Sequence, residues 1–183
     1  MLWSTIAEAV LLGAALAMDA AAASAALAAA GRWTFNYRKM LLTAAFFGGF
    51  QFLMPLIGFY GSSFAGDLVS SFGKYLAGSL LIAVGGKMFF DGKNEKTKRF
   101  SLQQLTVLAF ATSLDALLVG VSFQFQHRSN ILPDSLIIGA VTFAIAIAAC
   151  ALGRWSGKLL GKNCVWPAAL VLIMLGLKVI ISN

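Results

Sequence analysis

Six apolar stretches dominate this chain, at 5–30, 39–60, 73–90, 101–124, 134–153 and 164–182. A helix of about 20 residues crosses the ~30 Å hydrocarbon core of a bilayer, so each stretch is long enough to span, the third being short and tilting little. Lipid offers no hydrogen bonds, so each spanning segment must satisfy its own backbone and is a helix. The expectation is an all-α polytopic membrane protein with six transmembrane helices, one membrane domain over 1–183 and no room for a separate soluble domain. Composition agrees: 11% of residues are charged and 60% hydrophobic, against about 25% charged in soluble domains.

The first stretch ends in "AALAAAG" (25–31), which has the small residues of a signal-peptidase site. However, no Lys or Arg precedes it and Asp19 interrupts it, so it reads as a retained span. The net charge is +7, and the basic residues sit in short loops. Arg32, Arg38 and Lys39 follow span one; Lys93, Lys96, Lys98 and Arg99 follow span three; Arg154, Lys158 and Lys162 follow span five. The even-numbered loops hold little beyond Lys74 and Arg128. Positive loops stay cytoplasmic, which puts both termini outside. The charge thus fits orientation in membrane lipid, and no nucleic-acid partner is expected. Cys150 and Cys164 form no CxxC and read as free apolar residues.

"LAMDAAAAS" (16–24) places Asp19 in the middle of the first apolar run, and "FATSLDALLVG" (110–120) does the same with Asp115. A charge at bilayer depth costs at least about 2.5–3.5 kcal/mol, which marks both carboxylates as functional candidates. Aligning the two aspartates also aligns Arg32 with Arg128. With a one-residue shift, Gly58 meets Gly153 and Gly66 meets Gly161; further on, "GGKMFF" (85–90) matches "GLKVII" (176–181). The chain reads as two three-helix repeats, 1–92 and 100–183. Three is odd, so the second repeat is inserted inverted, a transporter design with its substrate site where the halves meet.

Two carboxylates close together in low dielectric share a proton or take up a cation. Oxygen donors suit manganese, magnesium or calcium. Thr112, one turn before Asp115, Ser113 beside it, and Gln51 in the second span are candidates to complete the donor set with Asp19 and Asp115. Gly48, Gly49 and Pro55 allow either a break in the second span or close helix packing. The alanine run around Ser24 predicts a close helix contact, with the hydroxyl bonding across it. Met18 and Met54 read as lipid- or core-facing bulk, and Lys87 and Lys178 as snorkelling anchors near span ends. Pro133 and Asp134 look like a helix start, with Asp134 the cap. His127, Glu8, Asp67, Asp91 and Glu95 read as solvated.

"MDAAAAS", "ATSLDALLVGV", "PLIGF" (55–59), "GGKM" (85–88) and "GRWSGKLLGK" (153–162) resemble, in order and over nearly the whole chain, the signatures of bacterial manganese efflux pumps of the MntP family. The resemblance implies a six-span inner-membrane exporter of Mn²⁺, with the ion as cargo and no cofactor, in a broader group that includes LysE-type amino-acid exporters. It carries metal handling onto Asp19 and Asp115. The family pattern has an acid ahead of the "PLIG" stretch, where this chain has Gln51. Export of a small organic solute such as an amino acid is the alternative. An intramembrane aspartate-dependent enzyme is a third reading, but no GxGD, HExxH, GxSxG or P-loop accompanies the acids.

Overall fold

The computed structural model describes residues 2–30, 36–91, 102–126, 130–160 and 165–181. The expectations for Cys164, His127, Arg128 and Glu95 fall outside these residues, as do the side chains of Asp67, Lys87 and Asp91. All regular structure among the described residues is helical: α1 (Leu2–Ala30), α2 (Tyr37–Asp91), α3 (Leu102–Thr112), α4 (Leu114–Phe125), α5 (Leu132–Leu160) and α6 (Val165–Ile181). Four segments among them are long and apolar enough to cross a membrane: Ile6–Ala29, Tyr37–Ser62, Leu102–Phe125 and Leu132–Ser156. They coincide with the first, second, fourth and fifth expected spans.

The helices divide differently from the six separate spans expected. The second and third stretches run together as α2, 55 residues long. A straight α-helix would hold Phe47 and Leu81 about 51 Å apart at 1.5 Å per residue. Both belong to one contiguous buried cluster with Leu105, Leu108 and Leu172, so α2 bends between them. Pro55, inside the helix, removes the bond that the Gln51 carbonyl would receive.

The fourth span is the interrupted one. α3 ends at Thr112, Ser113 adopts φ −104° and ψ 3°, and α4 starts at Leu114. The local cause is hydroxyl competition for the backbone. Thr112 Oγ1 donates to the carbonyls of Leu108 (3.0 Å) and Ala109 (3.2 Å), and Ser113 Oγ donates to that of Phe110 (3.0 Å).

Small residues let the helices touch backbone to backbone. Ala17, Ala20, Ala23 and Ala28 of α1 are fully buried, and Gly153 of α5 lies against the Ala25 carbonyl. α1 packs mainly on α5 and also on α6, while α2 carries α3, α4, α5 and α6. The close contact expected of the alanine run therefore forms. The expected Ser24 hydroxyl bond does not: Ser24 Oγ is buried without a partner, and the Ser24 carbonyl accepts the Cys150 thiol at 3.8 Å. Gly48 serves packing, its Cα facing the Gly139 carbonyl and Phe143, whereas nothing approaches Gly49. Met18 is exposed and Met54 is core.

Asparagines start two of the long helices. Lys39 N–H donates to Asn36 Oδ1 (3.0 Å) at the head of α2, and Leu132 N–H donates to Asn130 Oδ1 (3.1 Å) at the head of α5. The cap expected of Asp134 thus belongs to Asn130. Pro133 suits a first helical turn, so α5 begins earlier and Asp134 lies buried within that turn.

Candidate metal-transport site

Asp115 follows the break directly, in the first turn of α4. Its Oδ1 accepts the Ala116 N–H at 2.7 Å. A helix start supplies free N–H groups and a partial positive charge, so the break itself offsets part of the cost of this carboxylate. α4 is held on α2 by two glycines. Gly120 lies against the Pro55 carbonyl and Gly58 against the Leu117 carbonyl. Phe50 and Phe110 meet edge to face, centroids 6.3 Å apart, and tie α2 to α3 beside the break.

Asp19 of α1 lies close enough to Asp115 for the two charges to interact. Leu16, Met54, Ala116 and Ile138 form one buried cluster that joins α1, α2, α4 and α5 next to both acids. The two sequence-predicted carboxylates, 96 positions apart in the chain, are thereby brought together.

Gln51 completes the arrangement from α2. Its Nε2 donates to the Leu16 carbonyl at 3.2 Å, one turn before Asp19. The side chain is fully buried, and its Oε1 has no hydrogen-bond partner. Leaving a buried acceptor unpaired costs about 1–3 kcal/mol. Thr112 and Ser113 are also buried beside Asp115. Their protons are engaged in the helix break, which leaves oxygen lone pairs as their only offer to a ligand.

Asp19 also has a basic partner. Lys178 of α6, expected from its place near a span end to be a surface anchor, brings its Nζ to 4.0 Å from Asp19 Oδ1, the lysine side chain being 71% exposed and the aspartate 25%. Among the described residues no group of three or more His, Cys, Asp or Glu side chains converges. The donors on offer are carboxylate, amide and hydroxyl oxygens, a set suited to hard divalent cations and not to soft ones.

The family model described as "Putative manganese efflux pump" matches residues 34–180. The chain belongs to the MntP family. Relatives named "Putative manganese efflux pump MntP" include one from Methanosarcina mazei, 38% identical over 177 residues that cover 94% of each chain. One from Desulfitobacterium hafniense is 32% identical over 96% of this chain and 94% of the relative. One from Acetivibrio thermocellus is 34% identical over 81% of this chain and 77% of the relative. No solved structure matches. MntP members are transporters and not enzymes, which removes the intramembrane-enzyme reading and fits a membrane protein with apolar spans.

Proposed function

We propose that this MntP-family chain exports a divalent cation, manganese first, across the inner membrane. The ion binds between Asp19 and Asp115, with Gln51 Oε1 and the Thr112 and Ser113 hydroxyl oxygens as further donors. One observation carries the reading: two carboxylates within electrostatic reach of each other, beside a fully buried amide oxygen that has no partner. A hard cation would satisfy all three groups at once. The names of the relatives supply the choice of manganese.

The two carboxylates come from the halves 1–92 and 100–183, which we read as inverted three-helix repeats with both termini outside. The Asn36 and Asn130 caps stand at corresponding places in the two halves. So do the close approaches of Gly58 and Gly153. When the cation leaves, a proton on one carboxylate of the pair is the natural replacement, so export is coupled to proton entry.

The test is total metal content, by elemental mass spectrometry, in manganese-loaded cells lacking their own exporter. Cells making this chain are compared with cells making Asp19→Asn at equal membrane levels. The chain should lower manganese and the variant should not. Full activity in Asp19→Asn refutes the site. A fall in another metal refutes the choice of cargo alone. No change in any metal moves the organic-solute alternative to first place.

A further inference from the structure

The ion pair between Lys178 and Asp19 has no role in the transport site as proposed. Lys178 lies in the last turn of α6, which ends at Ile181, whereas Asp19 lies near the middle of the span Ile6–Ala29. A lysine serving only as a snorkelling anchor would carry its ammonium to the interface. This one carries it to within 4.0 Å of a half-buried carboxylate in the spanning region.

The geometry is that of a reversible contact. At 4.0 Å the pair is loose, without the short bond of a locked, charge-assisted interaction. The lysine is 71% exposed, so its long side chain can swing away without unpacking a helix. The groups around the contact sort in the same way. Asp115 is held by its own helix start through Ala116, and Gln51 Nε2 by the Leu16 carbonyl. Among the described residues, Asp19 is the one of the three matched by a tethered positive charge.

We propose that the Lys178 ammonium is a built-in stand-in for the transported cation. It occupies the Asp19 carboxylate when the site is unloaded and must leave when a divalent ion enters. This rests on the reading of Asp19 as a metal ligand. A bare carboxylate in the spanning region is costly, and the ammonium removes that cost between transport cycles. A divalent ion carries twice the charge and draws on Asp115 and the Gln51 oxygen as well, so it displaces the ammonium. The competition lowers apparent metal affinity and thereby helps release. A pump needs release as much as capture.

The test uses the full chain in detergent micelles, titrated with Mn²⁺ alone. Free hexaaqua Mn²⁺ is read by electron paramagnetic resonance, which loses its signal on binding. Lys178→Met keeps a long unbranched side chain and removes the competitor, so Mn²⁺ should bind tighter, by about three-fold or more. Lys178→Arg offers a two-pronged grip on the carboxylate, so Mn²⁺ should bind weaker. Opposite shifts from one position cannot come from a damaged fold, and the metal-free unfolding midpoint of each variant checks that directly. Asp19→Asn should abolish binding. If the unaltered chain binds and Asp19→Asn does not, yet Lys178→Met leaves affinity unchanged or weaker, Lys178 is a structural partner and the stand-in role is overturned while the site survives. If the unaltered chain fails to bind Mn²⁺, or Asp19→Asn binds equally well, the site itself is wrong and the inference falls with it.

Discussion

Gly120→Ala should disable transport while sparing insertion into the membrane, because the α4–α2 contact has no room for one methyl group. A Cβ built on Gly120 overlaps the Pro55 carbonyl oxygen and lies 2.7 Å from both the Pro55 carbonyl carbon and Cα. Carbon atoms pack best at about 3.5–4.0 Å, so the two backbones must part by roughly 1 Å. The obstacle is main chain, and no rotamer change relieves it. Overpacking of this kind costs about 1–3 kcal/mol, against a gain of up to about 1 kcal/mol in helix propensity. With the full propensity gain, a net destabilisation of up to about 2 kcal/mol follows. The functional effect is larger. Asp115 rides on the same short helix, and metal–ligand distances hold to within about 0.2 Å, so a shift of roughly 1 Å disturbs the site we propose. Manganese export should fall ~10-fold or more. The control is Gly49→Ala, where nothing lies within 4 Å of the added carbon and export should be unchanged. Elemental mass spectrometry of loaded cells and thermal unfolding in detergent read the two effects. If Gly120→Ala exports and melts like the unaltered chain, the α2–α4 contact does not position Asp115 and the reasoning is refuted.

Gln51→Met removes both the unpartnered Oε1, a burden of about 1–3 kcal/mol, and the Nε2 bond to Leu16, worth about 0.5–1.5 kcal/mol. Stability should therefore fall by no more than about 0.5 kcal/mol and can rise, while export drops, and undiminished export would exclude Gln51 as a ligand. Asn130→Ala should lower the thermal midpoint through loss of about 0.5–2 kcal/mol at the head of α5, with Asn130→Asp restoring it; an unchanged midpoint in Asn130→Ala would show the bond to be idle. Reporters fused to the two ends should both read outside the cytoplasm, and cytoplasmic ends would contradict the charge pattern of the loops.

The part of the site that is legible in the sequence is the part encoded by local cost. An aspartate in an alanine run is anomalous wherever the run packs, so Asp19 and Asp115 stand out from the text of the chain alone. Asp19 and Asp115 lie within electrostatic reach of each other, which is compatible with the repeat we propose without requiring it. The helix break is harder to place. Gly48, Gly49 and Pro55 point to the second span, yet α2 stays helical through all three. The break lies at "TSLD", where two hydroxyl residues and an acid form a helix start in the middle of a span. Those residue types carry two meanings at once: as oxygen donors they suggest a ligand set, and as backbone competitors they interrupt a helix. Lys178 is different. Its contact with Asp19 depends on how deep α6 sits against α1, and no periodicity or spacing encodes relative depth.

That distinction separates the two carboxylates physically. Asp115 is offset by backbone groups of its own helix, fixed in place and unable to depart. Asp19 is offset by a side chain from another helix, which can. In the site we propose, the two acids therefore answer a cation differently: Asp115 keeps its partner and can only add the ion, whereas Asp19 exchanges one cation for another. If the halves alternate in exposing the site, the side of Asp19 is the one on which an arriving or leaving ion meets competition. The asymmetry lies in α6 and not in the aspartate motifs, which is why the motifs alone describe a symmetric site.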